Sequence, residues 1–186
     1  ERDEDVFIPG GNFVLRANDE ISVIGSARNT VQFFKKLGVT TTKAKSAFIV
    51  GGGETGFYLA NQLLSIGVKV KIVERDKGRC EELSELLPQA MVICGDGTDR
   101  ELLLEEGVAQ AGAFVALTNL DEENIMLSLY VKSISKAKLI TKVHRIAYDK
   151  IIGELDLGSV IYPKFITAEI IIKYVRAMQN TIGSNI

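Results

Sequence analysis

The apolar run Ala47-Phe48-Ile49-Val50 passes directly into Gly51-Gly52-Gly53-Glu54-Thr55-Gly56 and then into Phe57-Tyr58-Leu59-Ala60-Asn61-Gln62-Leu63-Leu64. That order is a strand, a glycine turn and a helix. Gly51, Gly53 and Gly56 supply the G-x-G-x-x-G spacing. The first glycine permits the tight turn, the second lets the backbone approach a pyrophosphate, and the third lets the helix pack close to the strand. Peptide N–H groups at the helix start then face the ligand without help from a charged side chain. The pattern gains force from a second strand, Val68-Lys69-Val70-Lys71-Ile72-Val73, which ends at Glu74. A carboxylate about 20 residues past the glycines can accept both hydroxyls of an adenosine ribose. It also repels a 2′-phosphate, which argues against NADP.

The βα alternation continues along the chain. Helices are expected over 77–87, 100–106 and 122–134, a helix or turn over 144–152, and further strands at 90–94, 113–117, 139–143 and 160–162. Nearly every strand is a continuous apolar run instead of an alternating one, the mark of a parallel sheet buried on both faces. The expected fold is α/β: a doubly wound, Rossmann-type parallel sheet over residues 46–162. A partial small α+β domain precedes it over 1–38, with short strands at Val6-Phe7-Ile8, Phe13-Val14-Leu15 and Ile21-Ser22-Val23-Ile24-Gly25 and a helix over 27–37. Residues 39–45 form a polar linker. Residues 163–186 carry a final helix, expected from Thr167 to about 179, whose Ile170, Ile171, Ile172, Tyr174, Val175 and Met178 make an apolar stripe wider than one sheet face needs, so a partner or second subunit should cover it. Pro163 is expected to precede that helix. The chain opens on Glu1 without a methionine and reads as an excised piece.

A formal net charge of -2, from 22 Lys and Arg against 24 Asp and Glu, gives no support to nucleic-acid binding. No apolar stretch reaches the ~18 residues of a spanning helix, and no signal peptide is visible. Cys80 and Cys94 lack metal-ligand spacing and read as buried or half-buried thiols on a helix and at a strand end. No metal site is expected.

In an open parallel sheet the ligand lies across the C-terminal strand ends where strand order reverses. The residues expected there are Gly51 to Gly56, Glu74, Arg75, Asp96, Thr98, Leu117, Thr118 and Lys142. Arg75 can lie against an adenine face or point to solvent; the sequence leaves both open. Asp96 and Thr98 either approach the adenine side or merely close a turn. Thr118 falls near the phosphates or the second ribose. Lys142 either brings charge to a phosphate or snorkels off a strand terminus. Asp121 is expected to cap the 122–134 helix. His144, the single histidine, has no dyad partner visible in the sequence, so no catalytic residue is assigned.

These residues resemble a known family. Val50 to Gly56, Ile72-Val73-Glu74-Arg75-Asp76 with Arg79-Cys80, Gly95-Asp96-Gly97-Thr98-Asp99 and Leu117-Thr118-Asn119-Leu120-Asp121-Glu122-Glu123-Asn124 look like the RCK/KTN nucleotide-binding domain that regulates bacterial and archaeal potassium transport. Val160-Ile161-Tyr162-Pro163-Lys164 with Ile166-Thr167-Ala168 extends the likeness into a crossover helix. Phe7-Ile8-Pro9-Gly10-Gly11 and Asn18 to Gly25 resemble the tail of the small domain that precedes a second such unit. The resemblance implies NAD or NADH, and ATP or ADP at the same site, with no catalysis. It implies pairing into a homodimer or higher ring through the 167–179 helix, and a cytoplasmic location at the inner face of the cell membrane beneath a potassium channel or transporter subunit. The family often carries arginine where Lys142 stands, so the bidentate fork is lost. Two other readings compete: a small NAD-dependent oxidoreductase fragment, and a dimerisation module with a vestigial site.

Overall fold

The computed structural model describes residues 2, 7–17, 19, 21, 27–38, 43–145 and 149–182. The chain divides into two compact units, residues 1–42 and 43–186. In the first, helix α1 (Ala27–Lys36) ends at Gly38, whose φ of +72° lies where only glycine is comfortable. The segment around 13–15 forms no strand; Gly10 accepts from the Phe13 N–H at 3.0 Å in a turn, and Arg2 pairs with Asp19 at 2.7 Å. Val6 and residues 22–25 of the other expected strands lie outside the described residues.

In the second unit six strands form one parallel sheet: β1 (Ser46–Val50), β2 (Lys69–Glu74), β3 (Met91–Cys94), β4 (Ala113–Ala116), β5 (Lys138–Lys142) and β6 (Ser159–Ile161). Their order is β3-β2-β1-β4-β5-β6. The doubly wound fold read from the sequence is therefore the one observed, and the order reverses between β1 and β4. Helices α2 (Glu54–Ser65), α3 (Lys77–Leu86), α4 (Arg100–Glu105), α5 (Asp121–Ile134) and α6 (Asp149–Glu154) connect the strands.

Alternation along β1 explains the two-sided core. Phe48 and Val50 pack with Phe114, Leu103, Leu127 and Val131 on one face; Ile49 packs with Ile72, Leu83, Leu87 and Ala60 on the other. Phe48 and Phe114 are paired residues of β1 and β4 and stack with ring centroids 6.2 Å apart. Each such fully buried side chain stabilises the fold by about 1.5–3 kcal/mol. Because the central strands have no solvent face, their register is fixed and their C-terminal ends line up at one edge.

Helix α7 (Pro163–Ile182) starts four residues earlier than expected. Pro163 is its first residue and not its antecedent: a proline fits there because the missing N–H has no intrahelical role and its φ is already helical. Residues 164–178 are all exposed. Among the described residues no helix is long and apolar enough to cross a membrane.

Candidate nucleotide cleft

Where β1 gives way to α2, each glycine answers a separate demand. Gly51 has φ +108°, and a Cβ there would lie 2.8 Å from the Leu117 carbonyl carbon. A Cβ on Gly56 would strike the Gly51 carbonyl oxygen. These two are glycine because strand and helix approach so closely. Gly52 is buried, with Leu83 Cδ1 2.5 Å from where its Cβ would be. Gly53 differs: its φ is −61° and nothing lies within 4 Å of a Cβ built on it. The first intrahelical bond of α2 runs from the Phe57 N–H to the Gly53 carbonyl at 2.9 Å, so the amides of Glu54, Thr55 and Gly56 precede the ladder and face the opening.

Gly51, Gly53, Glu54, Thr55, Gly56, Glu74, Arg75, Asp96, Thr98, Leu117, Thr118 and Lys142 line one cleft of about 640 Å³. Of the expected residues only Gly52 stays behind the wall. Its N–H donates to Glu74 Oε2 at 2.7 Å, while the Asp76 N–H donates to Glu74 Oε1 at 2.8 Å. The two amides fix the carboxylate plane, and each oxygen keeps a lone pair for a further donor. Arg75 is exposed on the rim. Asp96 accepts from both the N–H and the hydroxyl of Thr98 at 2.8 Å, and these bonds hold its carboxyl below the ordinary range. The pair therefore closes a turn and borders the cleft together.

Across the reversal point, Asn124 ties the exits of β4 and β5. Its amide accepts from the Thr118 N–H at 2.9 Å and donates to the carbonyls of Thr118 and Lys142 at 3.1 and 3.0 Å. Lys142 is only 6% exposed, which overturns the snorkelling alternative. Its ammonium donates to the Leu117 carbonyl at 2.9 Å, and burial lowers its pKa, opposed by the charge of Asp121. Asp121 does not cap α5. Leu120 occupies the cap position, and the Asp121 carboxylate turns to β5 to accept from the backbone N–H groups of His144 and Arg145 at 2.9 Å. It also meets His144 Nδ1 at 3.0 Å, so the histidine does have a partner.

Arg79 also lines the cleft, beyond the residues that local pattern points to. Asp76 caps α3 by accepting from the Arg79 N–H at 2.7 Å, which aims the guanidinium back at the glycine turn, where Nε donates to the Gly52 carbonyl at 2.8 Å. An Asp-x-x-Arg helix start just past Glu74 is the available signal. Cys80 is buried, but Cys94 is exposed because β3 is an edge strand. Among the described residues no three His, Cys, Asp or Glu side chains gather as a metal site.

An open parallel sheet with a glycine-lined cleft at its reversal point defines a Rossmann-type domain. Residues 47–163 match the TrkA-N domain, and the chain belongs to that family. It is 33% identical over 168 residues to the Trk system potassium uptake protein TrkA of Vibrio alginolyticus, covering 90% of this chain and 36% of that protein. To the TrkA of Halomonas elongata it is 36% identical over 171 residues, covering 91% and 37%. The chain thus spans well under half the length of the curated relatives it matches. Among solved structures, the TrkA-N domain of the inner membrane protein YbaL of Escherichia coli superposes with TM-score 0.63 at 17% identity, covering 72% of this chain and 98% of that one. A GsuK channel bound to NAD does so with TM-score 0.55 at 21% identity, covering 73% and 25%. These structural likenesses establish the fold.

Proposed function

We propose that this chain is a nucleotide-sensing regulatory module of potassium uptake, cytoplasmic at the inner face of the membrane, working on a potassium channel or transporter subunit and not as an enzyme. The names of its relatives support the transport role, and the NAD bound to the GsuK channel supports NAD or NADH as ligand, with ATP or ADP as alternatives at the same cleft. In this reading residues 46–162 are the nucleotide domain, 163–186 the crossover helix that pairs two copies, 39–45 a linker, and 1–38 the tail of a preceding small domain.

The observation that carries the nucleotide reading is the asymmetry of the cleft. Carboxylate Glu74 stands at the β2 end, the amides of α2 lie in the middle, and the buried ammonium of Lys142 stands at the β5 end. Three strand spacings separate the ends, roughly 14 Å. That sequence of acceptor, anion-binding amides and cation suits a ribose, a pyrophosphate and a further group. Gly53 supports it too: no protein contact demands a glycine there, whereas a ligand backed against the turn would. NAD, when bound, would bring redox chemistry of its own. The residues here bind and orient.

Titration calorimetry with NAD, NADH, ATP and ADP tests this. Glu74→Ala should weaken every adenosine ligand by about 1–3 kcal/mol through lost charged hydrogen bonds. Unchanged affinity would remove Glu74 from the ribose role. Turnover of a small alcohol with NAD, abolished in His144→Ala, would favour the oxidoreductase alternative.

A further inference from the structure

His144 remains after the cleft is assigned, and its surroundings give it a specific capacity. His144 lines the cleft two residues beyond Lys142, and its side chain is 37% exposed. Burial pushes the Asp121 carboxyl up, but the backbone N–H groups of His144 and Arg145, with the imidazole, outweigh it and hold that carboxyl below the ordinary range. Asp121 is therefore a carboxylate and only accepts, so His144 Nδ1, 3.0 Å away, must carry a hydrogen. The tautomer is fixed from behind. The second ring nitrogen, Nε2, then accepts while the ring is neutral and donates once the ring takes a proton.

Among the described residues, the charged groups around the ring are few. Helix α5 brings Asp121, Glu122 and Glu123; β5 and its exit bring Lys142 and Arg145. Arg145 engages Glu122 at 3.1 Å, which leaves Lys142 and Glu123 as the other charged side chains at this end of the cleft among the described residues. A deprotonated phosphate oxygen placed here only accepts, so His144 offers it a hydrogen only when the ring is protonated. A ribose hydroxyl can donate or accept, so it finds a partner in either form.

We propose that His144 is a proton-dependent ligand contact at the β5 end of the cleft, so that ligands placing a phosphate there bind more tightly as the pH falls, while ligands placing a hydroxyl there do not. The inference rests on the nucleotide reading and adds to it a discrimination by pH between a nucleoside triphosphate and a ligand ending in a second ribose. Imidazoles change charge between about pH 5 and 8.

Calorimetry of the chain with ATP and with ADP-ribose, at about pH 6 and about pH 8, reads the effect. ATP should bind about tenfold more tightly at the lower pH, the size of one charged hydrogen bond, and ADP-ribose should change by less than about twofold. In His144→Gln the ATP dependence should fall to what the ligand's own phosphate ionisation supplies. As the chain has one histidine, its imidazole resonance can also be followed in the unaltered protein. ATP should raise its titration midpoint and ADP-ribose should not. An ATP dependence as steep in His144→Gln as in the wild type, or a midpoint ATP leaves unmoved, overturns the proposal. ADP-ribose binding without ATP binding overturns it while leaving the nucleotide reading intact. Binding of neither overturns both.

Discussion

Gly53 and Gly56 stand three residues apart in one motif, yet substituting them should have opposite consequences. Gly56→Ala drives a methyl into the Gly51 carbonyl oxygen, backbone that cannot step aside. It should destabilise the fold by about 1–3 kcal/mol, as overpacking does. Gly53→Ala meets open space at an ordinary φ, so the melting temperature should hold while adenosine-ligand affinity falls at least about tenfold; equal losses of stability in both variants would refute that division. Lys142 offers the complementary case. Because burial lowers its pKa, the folded chain binds fewer protons than the unfolded one between that lowered value and 10.5, and stability rises with pH across the window. At neutral pH the buried charge is thus a cost to folding, offset in part by the Leu117 carbonyl and Asp121. Lys142→Met should keep or raise the melting temperature of the free protein and remove the affinity for phosphate-bearing ligands. A fall of several degrees would make Lys142 a structural residue instead.

At the scale of elements, the strands were legible where both faces are buried and less so where a partner had to be known. The runs at 47–50 and 113–117 are continuous because β1 and β4 lie mid-sheet, and their bounds agree with the structure to within a residue. The run at 13–15 looks similar but finds no ladder. Asp121 carried a strong capping signal, yet its carboxylate is claimed by amides 23 and 24 residues away, a pairing no local pattern contains. Cys94 is exposed instead of half-buried for a like reason, since strand order alone makes β3 an edge. The expectation for the last helix concerns its surface. Along α7, Ile170, Ile171, Tyr174 and Met178 are 60, 56, 65 and 53% exposed. A helix is marginal in water without an apolar face to bury, so two copies pairing through this element would supply what the sheet does not. Light scattering should find a dimer that Ile170→Glu converts to monomer; a monomeric wild-type chain at tens of micromolar would end the pairing proposal.

For the whole molecule, the useful quantity is the difference in nucleotide affinity between two shapes. A ligand shifts an equilibrium only by that difference, and a hundredfold preference supplies about 2.7 kcal/mol. The same linkage operates between folded and unfolded chain, where it is easier to measure. The cleft exists only when β2, β1, β4 and β5 are in register, since Glu74, the α2 amides and Lys142 come from strand ends far apart in sequence. An unfolded chain therefore has no comparable site. At a hundred times Kd a ligand should stabilise the folded form by about 2.7 kcal/mol, which for a chain of this size raises the melting temperature by roughly 5–10 °C. At one common concentration, NAD, NADH, ATP and ADP, each compared with Glu74→Ala, should rank by their melting shifts in the order of their calorimetric affinities. If none moves the transition, the cleft is vestigial; if a nucleotide moves it, the cleft binds that nucleotide in the folded chain, and the affinity difference between two folded shapes is the quantity left to set the bias.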